Sequence, residues 1–86
     1  MLVTPTHLKF VGENPPSQSV KISGLTATQA WHASATDGIF VGPADSSGVN
    51  DYSCTISVGT LKVGEPGTVT IWAPGHEPVV VTIERV

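Results

Sequence analysis

Cationic side chains are scarce in this 86-residue chain. Lys9, Lys21, Lys62 and Arg85 are all it has, against seven carboxylates, for a formal net charge of −3. They are scattered, so no basic stripe exists to track a phosphate backbone, and nucleic acid is not an expected partner. The same scarcity removes attraction to anionic lipid. No run of about 18 apolar residues occurs, so no transmembrane helix is expected and the membrane is not a partner. The opening Met1-Leu2-Val3-Thr4-Pro5-Thr6 lacks a basic region followed by a long apolar stretch, and it does not read as a secretory signal. Either the chain works where it is made, or a signal has been removed or replaced by the initiating Met. Cysteine is limited to Cys54. One cysteine closes no internal disulfide and holds no zinc unaided, so it reads as a small buried apolar residue. Stability must come from packing and backbone pairing, a demanding requirement at this size.

Helical periodicity is also lacking. What is present is a series of short β-prone runs punctuated by Gly, Pro, Asn, Asp and Ser. His7–Val11 places Leu8 and Phe10 on one face, and Ser19–Ser23 places Val20 and Ile22 on one face. Gln29–Ala35 sets Trp31, Ala33 and Ala35 against Ala30, His32 and Ser34. Asp37-Gly38 turns into a brief strand with Ile39 and Val41, stopped by Gly42-Pro43, and residues 44–50 read as a loop. Tyr52–Val58 alternates most cleanly, with Tyr52, Cys54, Ile56 and Val58 inward and Ser53, Thr55 and Ser57 outward. A turn over Gly64–Gly67 leads to Thr68–Ala73, and Val79–Val86 closes the chain. About seven short strands spaced by turns predict an all-β, antiparallel, Ig-like β-sandwich in one domain over residues 1–86. The predicted core comprises Phe10, Trp31, Tyr52, Cys54, Ile56, Val58, Ile71, Val81 and Ile83.

The order of these features resembles a BACON domain, a branch of the bacterial Ig-like sandwiches. Its elements here are the Phe-bearing strand Leu8-Lys9-Phe10, the Gln-Ser-Val strand Ser17–Ile22 and the Trp-bearing strand at Trp31. They continue with Gly38-Ile39-Phe40-Val41-Gly42-Pro43, the long strand Tyr52–Val58, the hairpin start Gly67-Thr68-Val69-Thr70-Ile71, and the strand Val79–Ile83. The chain departs from the family where Gly38 replaces a Trp and where Ile83-Glu84-Arg85-Val86 lacks a Gln. The resemblance implies a carbohydrate-binding or spacer role, and related Ig-like domains occur on phage virions.

Chemistry is thinly represented. Catalysis needs a nucleophile, a base and a group to orient it. Cys54 alternates inward, and His7, His32 and His76 fall on different predicted strands or turns. Glu65 and Glu77 sit in separate turns, which does not suggest a glycosidase pair. No catalytic residue, cofactor or metal site is expected. Asp45 and Asp51 flank a Ser-Ser-Gly-Val-Asn loop without the dense Asp spacing of a calcium loop. His76 and Glu77 are adjacent in a turn and point apart.

Two aromatics are out of phase with their inward neighbours: Phe40 between Ile39 and Val41, and Trp72 between Ile71 and Ala73. Either a bulge or covering neighbours bring them to an ordinary packing role, or they face outward as partner contacts. The outward reading nominates Trp72 and Phe40, with His76 nearby, as a binding surface. Two functions follow. One is a non-catalytic structural or accessory protein docking on a larger protein assembly, first of all a phage virion as a capsid decoration or a tail or fibre component and otherwise a cell-surface complex, with a virion-surface location. The other is a polysaccharide-binding module of a secreted glycan-processing protein, or a spacer domain, with a secreted or cell-surface location.

Overall fold

The computed structural model describes residues 1–25, 30–42, 45–46 and 52–86. The described residues form nine strands: β1 (Leu2–Thr4), β2 (His7–Phe10), β3 (Gln18–Ser23), β4 (Trp31–Ala35), β5 (Ile39–Gly42), β6 (Asp45–Ser46), β7 (Tyr52–Val58), β8 (Pro66–Trp72) and β9 (Val79–Arg85). They make two sheets, ordered β1-β3-β7-β5 and β2-β9-β8-β4-β6. With the short β2 and β6 set aside, β1-β3-β7-β5 faces β9-β8-β4. That is the strand order of an immunoglobulin-type sandwich.

The two strands beyond the expected seven are β1 and β6. Each lies in the opposite sheet from the strand beside it in sequence. The chain leaves β1 in the four-stranded sheet, passes the cis Thr4–Pro5 peptide bond, and enters β2 in the five-stranded sheet. Likewise β5 lies in the four-stranded sheet and β6, two residues on, in the other. Residues 44–50 are therefore not wholly loop: β6 falls within them, and the remainder lie outside the described residues.

One pairing also departs from the antiparallel expectation. β2 runs parallel to β9, from His7 opposite Thr82 to Phe10 opposite Arg85. No hairpin reverses the chain between β1 and β2, so it reaches the second sheet still heading the way β9 heads.

Alternation drives the packing. Inward residues of both sheets form one apolar cluster that includes Leu8, Phe10, Val20, Ile22, Trp31, Cys54, Ile56, Val69, Ile71, Val81 and Ile83. Trp31 is the largest fully buried side chain. Of the predicted core, Val58 is only partly buried and packs on the cluster's margin. Tyr52 begins β7, and its side chain lies outside the described residues. Ala35 is exposed although it alternates with Trp31 and Ala33. It still pairs with Val69 of β8, so its exposure reflects the end of the sheet and not a change of phase.

Glycine sets two close approaches. Gly38 has φ +88°, and a Cβ there would lie 2.6 Å from the Leu61 amide nitrogen. Its carbonyl accepts hydrogen bonds from the amides of Gly59, Thr60 and Leu61 at 2.8, 3.2 and 3.2 Å. No side chain fits there without a shift of the Leu61 backbone. Gly67 is the second. It belongs to β8 and not to a turn, and a Cβ on it would meet Ile39 Cδ1 at 2.3 Å.

Candidate functional site

Register determines which outward residues become neighbours. On β8, Gly67, Val69 and Ile71 are buried, so Thr68, Thr70 and Trp72 stand on the opposite face. β8 pairs without interruption with β9 from Pro66 to Ile71, and with β4 from Val69 to Trp72. No bulge resets the phase, and Trp72 points out with 38% of its surface exposed. Its partner across β4 is His32, whose ring centroid lies 5.6 Å from the Trp72 ring, tilted by 34°. His32 thus props one side of the indole.

The rest of this outer face is mostly small and polar. Moving along β8 from Trp72, the next outward row is Ser34, Thr70 and Val80. The following row holds Thr68, Thr82 and His7. Rows are about 7 Å apart, two residues of strand rise. His7 Nδ1 lies 2.7 Å from Thr82 Oγ1, and His7 Nε2 lies 3.3 Å from Glu84 Oε2. The Thr82 hydroxyl in turn donates to the Thr6 carbonyl at 3.3 Å.

His7, Thr82 and Glu84 superficially match a hydroxyl, a base and an orienting carboxylate. The hydroxyl is committed to a backbone carbonyl, and the three stand on an exposed sheet surface that excludes no water. Such a group fastens strands; it lacks the preorganised donors that stabilise a developing oxyanion. Glu65 and Glu77 lie in the turns before and after β8, at opposite ends of a seven-residue strand. Among the described residues no group of three or more His, Cys, Asp or Glu could hold a metal ion. Asp45 lies in β6, and Asp51 lies outside the described residues. Cys54 is fully buried, and burial pushes its thiol above its ordinary value. That keeps it protonated and poorly nucleophilic.

Phe40 does not join Trp72. Phe40 lies between the inward Ile39 and Val41 on β5, in unbroken register with β7, so it faces out from the other sheet with 62% of its surface exposed. Its ring lies over Gly59, where a Cβ would come within 2.0 Å of it. Trp72 and Phe40 are therefore on opposite outer faces of the sandwich and not companions on one surface. His76 sits in the β8–β9 turn, where its Nδ1 meets the Met1 amino group at 3.0 Å. A residue the sequence reading did not nominate, His32, stands beside Trp72. Its outward phase is readable beside Trp31, but nothing local indicates that β4 will pair with β8.

No helix among the described residues is long and apolar enough to cross a membrane. No protein-family model and no curated protein matches the sequence. Among solved structures, the chain resembles part of a Bacteroides ovatus GH5 xyloglucanase in complex with a XXXG heptasaccharide. The TM-score is 0.73 at 20% identity, covering 98% of this chain and 18% of that one. It also resembles domains 4 and 5 of the S-layer protein SbsC, with TM-score 0.60 and 20% identity, covering 99% of this chain and 50% of that one. The chain thus spans half or less of each neighbour. At this identity the likeness is one of fold.

Proposed function

We propose that this chain is a non-catalytic accessory module of an extracellular or cell-surface system, and that the outer face of its five-stranded sheet contacts polysaccharide. The observation that carries this reading is Trp72. It is an indole held open beside Ser34, Thr70 and the exposed Val80, steadied by His32 on one side. An exposed indole offers an apolar plane to the C–H face of a sugar ring, and the surrounding hydroxyls suit its polar edge. The low charge of this face favours a neutral chain over an acidic one. The resemblance to BACON domains supports the same role. So does a fold shared with part of a xyloglucanase that binds a heptasaccharide and with an S-layer protein.

Phe40 favours a second reading, docking of the opposite face on a larger protein assembly. Neither structural neighbour is a virion component, so the cell surface is the setting put forward.

Electrophoresis through gels containing soluble β-glucan or xyloglucan tests the proposal. The chain should be retarded, Trp72→Ala should remove the retardation, and Phe40→Ala should leave it unchanged. Equal migration of the wild type and Trp72→Ala in every polysaccharide would sink the glycan reading. Loss of retardation on Phe40→Ala alone would move the site to the other sheet.

A further inference from the structure

The outer face that carries Trp72 leads to a cleft at its other end. Trp72 and Pro66 are the two ends of β8, a seven-residue strand, so about 20 Å of sheet separates them. Between them lie the outward pairs Thr70–Val80 and Thr68–Thr82. Pro66 pairs with Glu84, and Glu84 pairs on its other side with Lys9 of β2. Here the surface opens into a cleft of about 270 Å³ whose walls include Glu65, Pro66, Ile83, Glu84 and Arg85.

The walls are of two kinds. Pro66 and Ile83 are apolar, and Glu65 and Glu84 bring carboxylates. Arg85 has both terminal nitrogens committed, to the Leu61 and Glu13 carbonyls. Glu84 is steadied by His7, whose Nε2 lies 3.3 Å from Oε2 and whose Nδ1 lies 2.7 Å from Thr82 Oγ1. The Glu84 carboxylate is half-exposed, and its Oε1 is left to accept from a ligand. A carboxylate held this way accepts strongly from hydroxyl donors. The Glu65 side chain fastens no strand. Its residue is held in the turn before β8 through the backbone amide, which donates to the Lys62 carbonyl at 3.0 Å.

A pyranose ring matches these walls, because it presents a C–H face and adjacent O–H donors. The space is smaller than the roughly 300–1,000 Å³ that encloses a drug-sized ligand, and it suits a single ring. An acidic ring would meet two like charges at close range, which disfavours it.

We infer that this cleft is a second sugar subsite, and that the face takes an extended, neutral glycan along β8, with one ring on Trp72 and another in the cleft. This rests on the glycan role proposed for Trp72 and adds the far end of its ligand. A span of about 20 Å exceeds a disaccharide, so binding should depend on chain length.

Calorimetric titration with cellobiose and cellohexaose, a short and a long neutral β-glucan fragment, tests it. Cellohexaose should bind at least about tenfold tighter, the worth of a hydrogen bond to a charged group. Glu65→Ala and Glu84→Gln should each remove most of that gain and leave the cellobiose affinity unchanged. A group that only fastens strands predicts no such loss from Glu65→Ala. Trp72→Ala should weaken both fragments. Equal wild-type affinity for the two, still lowered by Trp72→Ala, would overturn the second subsite and leave the indole platform standing. A length gain that survives both cleft variants would overturn it too. Stronger retardation by polygalacturonate, an acidic chain, than by β-glucan would overturn the assignment to neutral glycans. Binding of neither fragment also overturns the inference, and the gels then decide on Trp72 alone.

Discussion

Single residues divide by face. Trp31 and Trp72 are the same side chain in opposite roles. Trp31 is wholly enclosed between the sheets, so Trp31→Ala is expected to cost about 3–5 kcal/mol. Trp72 loses mainly its contact with His32, and Trp72→Ala should cost about 1 kcal/mol or less. Urea denaturation of the two variants checks the contrast, which also shows whether Trp72→Ala is a clean probe of binding. Gly38→Ala carries a different penalty. It places a Cβ against the Leu61 backbone on a residue with positive φ, and a loss of about 3 kcal/mol should lower Tm by more than about 10 °C. Cys54 links to pH. Its folded pKa is raised by burial, so the unfolded chain releases the proton first. Below the ordinary thiol value of 9.0 both states hold the proton and nothing is lost; above it, stability falls as pH rises. Cys54→Ala should flatten that alkaline decline in chemical denaturation between pH 8 and about pH 10. Alkylation of the native protein should require unfolding.

At the scale of elements, Arg85 ties β9 to two turns at once. Arg85→Met leaves the Leu61 and Glu13 carbonyls without their donor, and the Leu61 contact is partly buried. The expected cost is about 1–3 kcal/mol. Hydrogen exchange should rise around Gly64, whose amide bonds to the Arg85 carbonyl. Alternation made most strands readable in advance, because each buries one face and the period of two leaves little freedom. It failed where a strand is very short or changes sheet: β1 has three residues and β6 two, too few to show a period. The parallel course of β2 was hidden for another reason. Direction relative to β9 depends on a partner 75 residues away, as His7 and Thr82 show. The site was half legible by the same logic. That Trp72 faces out follows from its neighbours on β8. That His32 stands beside it, and that Phe40 is on the far face, depends on which strands pair.

For the whole molecule, topology dominates. Most of the described strands pair with one distant in sequence, and among them only β8 and β9 are joined directly by a short hairpin turn. Such an arrangement must close long loops before its contacts form, so the main refolding phase should fall in the range of milliseconds to seconds. Stopped-flow fluorescence, dominated by the burial of Trp31, measures it; a main phase in microseconds would contradict the assignment of its stabilising contacts to long-range pairs.

The strands that change sheet have a further consequence for life at high local concentration. Any open sheet offers its outermost backbone to strands of other molecules, which is a route to aggregation. Here each lateral margin is occupied by a piece of four residues or fewer: β1 and β5 border one sheet, β2 and β6 the other. Between β1 and β2, before a foreign strand could lengthen its pairing, the chain has crossed to the opposite layer. Crowded copies on a surface would therefore find little continuous edge through which to zip into one another.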